Sequence, residues 1–302
     1  IDSIQRYVHK GRIHSEINQL RSDQGGTVSG RLSYSNPNLQ QIPARNKEYG
    51  NKIRSLFLPE EGKQWGSFDY SQQEPRLVAH YAASTNEEFT GAEEFIKAYE
   101  SDEADFHQIV ADMAGISRTN AKTINLGLFY GMGKAKLARE LGISKDAAEN
   151  LLSKYHTRVP FVKRLAESVM NSASKFGFIR TVKGRKCRFN MWEPATFGMN
   201  KAMKYEEAKA VYGNNIRRAY TYKALNRLIQ GSAADQTKQA MINCYKKGFQ
   251  PLLQIHDELC FSINEENDII GIKKEMENAI EGLKVPFKTD VALGSSWGNA
   301  KE

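Results

Sequence analysis

"LLQIHDELCFSI", Leu252–Ile263, decides how this chain is to be read. Leu253, Ile255, Leu259, Phe261 and Ile263 alternate on either side of a polar trio, His256, Asp257 and Glu258. Alternation of period two, in residues that favour strands, predicts a β-hairpin whose reversal falls on the trio. Two meanings are open. Polar residues gather where chains turn, and a wet reversal is the plainer one. Carboxylates at the tip of a hairpin rooted in a buried sheet are also well held for Mg²⁺, which takes hard oxygen ligands. A second carboxylate from elsewhere in the chain would separate the two.

Composition narrows the field. The 302 residues can bury a large core in one or two domains. Hydrophobic residues make up 40% and charged residues 26%, as in soluble globular proteins. No apolar run nears the roughly 20 residues of a transmembrane helix. The opening "IDSIQRYVHK" is polar and amphipathic, unlike a secretory leader. It lacks an initiating Met, which predicts a piece trimmed from a longer protein. Cys187, Cys244 and Cys260 are scattered and odd in number, so neither a disulfide framework nor a zinc motif is expected, and a reducing compartment is. A net charge of +8 and a pI near 9.2 incline the chain toward polyanions, since neutralising phosphates releases condensed counterions.

Along the chain there is no internal repeat or low-complexity tract. Residues 1–20 predict a helix followed by extended chain. From Gly25 to Pro59 the sequence is rich in Gly, Ser, Asn and Pro, with short extended runs such as "RSLFLP" (Arg54–Pro59). "WGSFDY" (Trp65–Tyr70) predicts a strand and "EPRLVAHYAAS" a helix after it. Helical spacing dominates from about Glu93 to Phe176, with Ser144 as an N-cap. "FIRTVKGRKCRF" (Phe178–Phe189) predicts a basic hairpin turning at Lys183–Gly184. A long helix is expected from about Asn214 to Lys247, then the opening hairpin, an amphipathic segment Glu265–Gly282 and a strand near Lys288–Leu293. Helical material is thus inserted between two strand-bearing ends, which predicts a sheet built from both ends of the chain.

The second carboxylate is Asp69 in "SFDYSQQEPR", at the end of a predicted strand. Alone it reads as a cap more readily than as a ligand. Paired with Asp257 it would bridge two Mg²⁺ ions, an arrangement that stabilises both attacking and leaving oxygens of an in-line phosphoryl displacement. A third element is "RTNAKTINLGLFYG" (Arg118–Gly131), where Arg118, Lys122, Leu126 and Tyr130 recur every four residues and share one helical stripe. Arg and Lys one turn apart suit a triphosphate, and Tyr130 offers a ring for a base. A solvated basic face grading into core is the competing reading. Gly127 and Gly131 favour a ligand, because each Gly costs a helix about 1 kcal/mol, which makes sense if something must approach closely.

These segments, "DYSQQEPR", "RTNAKTINLGLFYG" and "LQIHDEL", resemble motifs A, B and C of family A DNA polymerases, the bacterial DNA polymerase I group. "TVSGRLSYSNPNLQQIP" (Thr27–Pro43), "NRLIQGSAAD" (Asn226–Asp235) and the ending "GSSWGNA" extend the resemblance over nearly the whole chain. It implies an α+β right-hand polymerase fold: an antiparallel palm sheet, an inserted helical fingers subdomain and a thumb largely missing. The implied partition is palm at 1–83 with the end of the thumb, fingers at 84–212, and palm again at 213–302. The implied activity is template-directed addition of dNTPs to a primer 3′-hydroxyl, with two Mg²⁺ ions (or Mn²⁺) as cofactors. A single-subunit RNA polymerase and a non-catalytic DNA-binding replication subunit are the alternatives. Glu74 and the residues after His256 speak against the first, and the joint presence of Asp69, Asp257, Arg118 and Lys122 against the second.

Position by position, the resemblance makes Asp69, Asp257 and the Tyr70 backbone carbonyl metal ligands, with Glu258 a nearby catalytic carboxylate. Arg118, Lys122 and His107 would hold the triphosphate, Lys122 also giving a proton to pyrophosphate. Glu74 would be the steric gate against a ribose 2′-hydroxyl, with Gln72, Leu126 and Tyr130 completing the dNTP site. Arg31, Asn226, Gln230 and His256 would contact primer or template; Arg31 and Gln230 suit minor-groove acceptors shared by all correct pairs. Departures point to a phage or mobile-element branch: Leu126 stands where the family has Phe or Tyr, Gln73 and Pro75 flank Glu74, and Tyr222 replaces a DNA-contacting Arg. Pro75 places Glu74 at a helix entry. No exonuclease is implied within the chain. Thumb and exonuclease segments are expected upstream or on a companion chain, and the expected location is the cytoplasm of a bacterial or phage-infected cell, or an organelle, without a membrane partner.

Overall fold

The computed structural model describes residues 2–22, 25–43, 47–84, 92–100, 105–129, 132–196 and 201–301. The chain divides into two compact units, Ile1–Gln73 with Gln230–Glu302, and Glu74–Ile229. The first unit opens with α1 (Asp2–Gln5), the antiparallel pair β1 (Val8–His9) and β2 (Arg12–Ile13), and the pair β3 (Glu16–Asn18) and β4 (Ser33–Ser35). Then come α2 (Lys47–Arg54) and β5 (Gln64–Tyr70), and α3 (Gln73–Ser84) begins at the last residue of this stretch and belongs from Glu74 on to the second unit. The second unit holds α4 (Ala92–Glu100), α5 (Phe106–Ala114), α6 (Arg118–Phe129), α7 (Lys134–Leu141), α8 (Lys145–Arg158) and α9 (Pro160–Phe176). A hairpin of β6 (Phe178–Arg180) and β7 (Lys186–Arg188) follows, then β8 (Trp192–Pro194), α10 (Tyr205–Tyr212) and β9 (Ile216–Arg218). α11 (Ala224–Lys246) returns to the first unit, which ends in β10 (Leu253–Ile255), β11 (Glu258–Ile263), α12 (Glu266–Glu277) and β12 (Thr289–Gly294). Among the described residues no helix is long and apolar enough to cross a membrane.

The first unit is organised by an antiparallel sheet in the order β10-β11-β5-β12. β5 lies at its centre, flanked by strands from the far end of the chain, as the insertion pattern predicts. On one face Phe68 meets Phe261 edge-on at 5.5 Å and Tyr70 meets Phe287 at 6.4 Å. The Tyr70 hydroxyl donates to the Met276 carbonyl on α12 at 2.6 Å, so the phenol is satisfied where it is buried. On the other face Trp65, Cys260, Leu253 and Ile255 pack with Leu32, Tyr34, Leu39, Ile42 and Trp297. The Trp297 ring stacks on Trp65 at 6.2 Å, takes Phe57 edge-on at 5.6 Å and lies under the Arg54 guanidinium at 4.5 Å. Gly298 makes that docking possible, since a Cβ there would stand 2.6 Å from the Asn51 carbonyl oxygen of α2.

Three sequence expectations change. "RSLFLP" begins with the last residue of α2 rather than as extended chain, because the Ser55 amide still donates to the Asn51 carbonyl at 2.8 Å. The helix expected from Asn214 starts at Ala224. Ile216–Arg218 instead pairs with Trp192–Pro194, and a long-range partner of that kind overrides local helical spacing. The hairpin reverses on His256 and Asp257 alone, with Ile255 paired to Glu258, so Glu258 is the first residue of β11 and not part of the turn. The expected Ser144 cap is present, its hydroxyl accepting from the Ala147 amide at 3.1 Å.

Where β5 passes into α3, Gln72 takes a left-handed φ of 54° and Gln73 turns inward, 3% exposed. Its Nε2 donates toward Gln236 Oε1 at 3.0 Å, the Ala233 carbonyl at 3.3 Å and Thr237 Oγ1 at 3.3 Å, all on α11. Two hydrogens face three acceptors, so one is shared. Gln73→Leu fits the space but strands those acceptors in the core. It is expected to lower stability by about 1–3 kcal/mol, read as a lower urea midpoint at unchanged slope. An unmoved midpoint would show the contacts to be idle.

Candidate active site

The register of the central sheet builds the site. Asp69 on β5 stands directly opposite Glu258 on β11. Asp257, one residue earlier, forms the hairpin tip with His256, whose φ of 55° is left-handed. The sheet therefore carries the Asp69 and Asp257 backbones together across 188 positions of sequence (69 to 257). On the other side of β5, Asp290 of β12 is also level with Asp69, and partners directly across an antiparallel ladder share a face. Sequence reading passed over Asp290, which sits in a strand with no motif around it. Pairing with β11 stops at Asp69, so Tyr70 extends one residue past that ladder and pairs only with Thr289.

Burial sets the electrostatics. Desolvation pushes the Asp257 carboxyl above the usual carboxylate range; Glu258 beside it adds to this, while its own backbone, Arg31 and His256 work against it. Glu258 is 4% exposed and accepts from Cys260 Sγ at 3.4 Å. Arg31 is held close by a local knot in which Thr27 Oγ1 donates to the Arg31 carbonyl at 2.8 Å. His256 is exposed at the tip. Asn226 and Gln230 are half-buried and one turn apart on α11, and Glu74 is the second residue of α3, at the helix entry its Pro75 neighbour predicts.

The second unit carries the basic stripe. Arg118 opens α6 and Lys122 follows one turn later, both exposed. Arg118 grips Asp105 Oδ2 through Nε at 2.7 Å and through Nη2 at 2.6 Å. Asp105 is also the N-cap of α5, accepting from the His107 and Gln108 amides. Burial works to raise that carboxyl, but the Arg118 bond, the two amides and the Arg118 charge outweigh it and hold it low. Leu126 lies within α6, its side chain outside the described residues, as is Tyr130 altogether. Gly127 also has a local reason to lack a side chain: a Cβ there would lie 2.8 Å from the Met132 thioether.

His107 is 8% exposed, in a chain of buried polar groups. The Tyr155 hydroxyl donates to Asn125 Oδ1 at 2.6 Å, which leaves the Asn125 amide nitrogen to face His107 Nδ1 at 3.1 Å. That amide donates, so the imidazole proton sits on Nε2. Burial lowers the His107 pKa below its ordinary 6.5, with Asp105 opposing and Lys122 and Arg118 assisting. Because the folded value lies below the unfolded one, the unfolded chain binds more protons as pH falls. The network's contribution is thus intact above about pH 6.5 and lost on acidification below it. His156 shifts the same way. Melting temperature is expected to drop between pH 7 and 5, and His107→Gln to flatten that drop without abolishing it. An unchanged slope in the variant would overturn the reading.

With this geometry in place, the comparisons are decisive. The family model for DNA polymerase family A matches residues 1–299. The chain belongs to DNA polymerase family A. A DNA-directed DNA polymerase of Pseudomonas phage M6 is 36% identical over 99% of this chain and 48% of its own length. DNA polymerase I of Caldicellulosiruptor bescii is 35% identical over 96% of this chain and 32% of its own. The POL domain of Pol1 from M. smegmatis, solved with DNA primer-template and dNTP, superposes with a TM-score of 0.79 at 32% identity, covering all of this chain and 51% of that one. The family A chain thus spans about half or less of the length of these relatives.

The donor set suits the metal dependence general to family A DNA polymerases. Among the described residues no three His, Cys, Asp or Glu side chains converge as a ready-made cage. Mg²⁺ asks for none, since it binds through one or two carboxylates and completes its octahedron with water and substrate phosphates. Asp69 and Asp257, brought to one end of the sheet, could supply such a partial set, with the Asp257 carboxyl pushed toward its neutral form by burial.

Proposed function

We propose that this chain is the catalytic core of a template-directed DNA polymerase, with primer–template DNA and dNTPs as substrates. The register that sets Asp69 opposite the residue next to Asp257 carries the reading, in a chain that belongs to family A. In the proposed partition, 1–83 and 213–302 act as palm and 84–212 as fingers. Asp69, Asp257 and the Tyr70 carbonyl would hold two Mg²⁺ ions. When bound, such ions lower the pKa of the primer 3′-hydroxyl and neutralise triphosphate charge.

The protein's own part is positioning and charge complementarity. Arg118 takes the triphosphate by exchanging Asp105 for phosphate oxygens, a trade its planar fork is built for. Lys122 adds charge and gives a proton to the departing pyrophosphate as the primer 3′-oxygen bonds the α-phosphorus and the bond from that phosphorus to the bridging oxygen breaks. Glu74 excludes a ribose 2′-hydroxyl, while Gln72 and Leu126 flank the sugar and Tyr130 the base. His107 orients the phosphate-binding segment from within its buried network. Arg31, Asn226, Gln230 and His256 hold the primer terminus and template, and Glu258 supports Asp257.

Extension of a labelled primer on a templated duplex, with Mg²⁺ and all four dNTPs, tests the reading. Templated products that appear only with metal and grow with dNTPs over rNTPs are expected. Binding of duplex with no extension at any metal concentration would overturn it.

A further inference from the structure

We propose that Asp105 is a built-in competitor for the triphosphate: a carboxylate that occupies Arg118 between turnovers, sets how tightly nucleotide binds and displaces pyrophosphate once it is made. The inference rests on the reading of Arg118 as a triphosphate-binding cation and adds a residue that works against it. Each oxygen of the Asp105 carboxylate has one task. Oδ2 receives Arg118, from Nε at 2.7 Å and from Nη2 at 2.6 Å. Oδ1 receives the first turn of α5, from the His107 amide at 2.9 Å and the Gln108 amide at 3.2 Å.

That division makes the ion pair good enough to form and poor enough to break. A guanidinium holds an oxyanion best fork to fork, with parallel N–H bonds to separate oxygens. Here both contacts converge on one oxygen, because the other is committed to the helix. A terminal phosphate brings more acceptor oxygens and more charge, and it can take the fork along a whole edge. The pair also lies open to solutes, with the Arg118 side chain 52% exposed and that of Asp105 31%. Exposed pairs of this kind are weak, so a polyanion displaces the carboxylate at small cost.

The frame around the pair stays in place when it opens. α5 and α6 are joined a second time, seven residues along α6, where the buried Asn125 amide meets His107 Nδ1 at 3.1 Å and the Tyr155 hydroxyl holds Asn125 Oδ1 at 2.6 Å. With Arg118 turned away, Asp105 still caps α5 through Oδ1. Exchange is therefore a swing of one side chain, and it reverses as simply. When pyrophosphate has formed, Oδ2 stands within reach of the guanidinium and takes it back. A site whose cation had no such rival would hold product more tightly and release it more slowly.

Fluorescence titration of the full chain with mant-dATP and Mg²⁺, without DNA, tests the competitor, and inorganic pyrophosphate is then added to displace the nucleotide. Asp105→Asn keeps the cap, since Asn and Asp cap helices about equally, and removes the charge that holds Arg118. It is expected to tighten mant-dATP by about two- to fivefold, the span of an exposed ion pair, and pyrophosphate by a similar factor. Asp105→Ser also caps, but its single oxygen is used in doing so. It should tighten both ligands alike, and it carries the test if the Asn variant misfolds. In an Arg118→Ala background, Asp105→Asn should change either affinity by less than about 1.5-fold, because the effect runs through that guanidinium. A gain that persists without Arg118, or affinities that neither substitution moves, would overturn the competitor alone. A parent that binds no mant-dATP would overturn the nucleotide site beneath it, which keeps the two failures distinct.

Discussion

Asp257→Asn is expected to lower Mg²⁺-dependent primer extension by about 10³-fold or more, and Asp69→Asn by a similar factor. Metal-borne charge stabilisation is worth several kcal/mol in a transition state, and each 1.36 kcal/mol is tenfold in rate. The fold should not suffer. Burial already pushes the Asp257 carboxyl toward its neutral form, so a neutral amide of the same size relieves a penalty. The substituted protein should therefore melt at or above the parent temperature in EDTA. The parent alone should gain melting temperature as Mg²⁺ is added, because an ion that binds only the folded state stabilises it. An Asp257→Asn protein that still extends primers at near the parent rate would sink the assignment, whatever its stability.

Lys122→Ala should reduce kcat by about 10²- to 10⁴-fold, the usual span for loss of a positioned proton donor. Lys122 is exposed on α6, one turn from an Arg that already has a carboxylate partner, so it is the cation of this stripe with room to move. Lys122→Arg separates charge from proton. Arginine keeps the attraction for phosphate but does not give up its proton near neutral pH. Its KM for dNTP should recover while kcat stays low in single-turnover measurements. A variant that changes KM alone would reduce Lys122 to an electrostatic contact.

Much of this was legible in the sequence because it rests on local rules. Alternating apolar residues around His256–Asp257 announce a hairpin, and a polar break at Asp69 announces a strand end. The order of elements predicts a sheet built from both ends, and the resemblance adds that Asp69 and Asp257 belong to one site. What escaped is non-local or depends on a single atom. Ile216–Arg218 has helical neighbours in sequence and a strand for a partner, and only the partner decides. The cap of α5 is Asp105, two residues from the histidine that drew attention, and its bond to Arg118 across a helix-to-helix step leaves no spacing signature. At Gly127 a Cβ would meet Met132, a neighbour from just beyond the helix that no spacing rule announces. Gln73 looks like a polar intrusion until α11 is folded against it.

The central strand of the sheet borrows both of its neighbours from the last fifty residues, β11 at Glu258–Ile263 and β12 at Thr289–Gly294. A growing polypeptide thus carries Asp69 through 188 further residues (69 to 257) before Asp257 is made. The pair comes into being only when the tail emerges and threads along both edges of a strand made long before. A product cut short before β11 would keep Asp69 and lack the strand that sets Asp257 beside it.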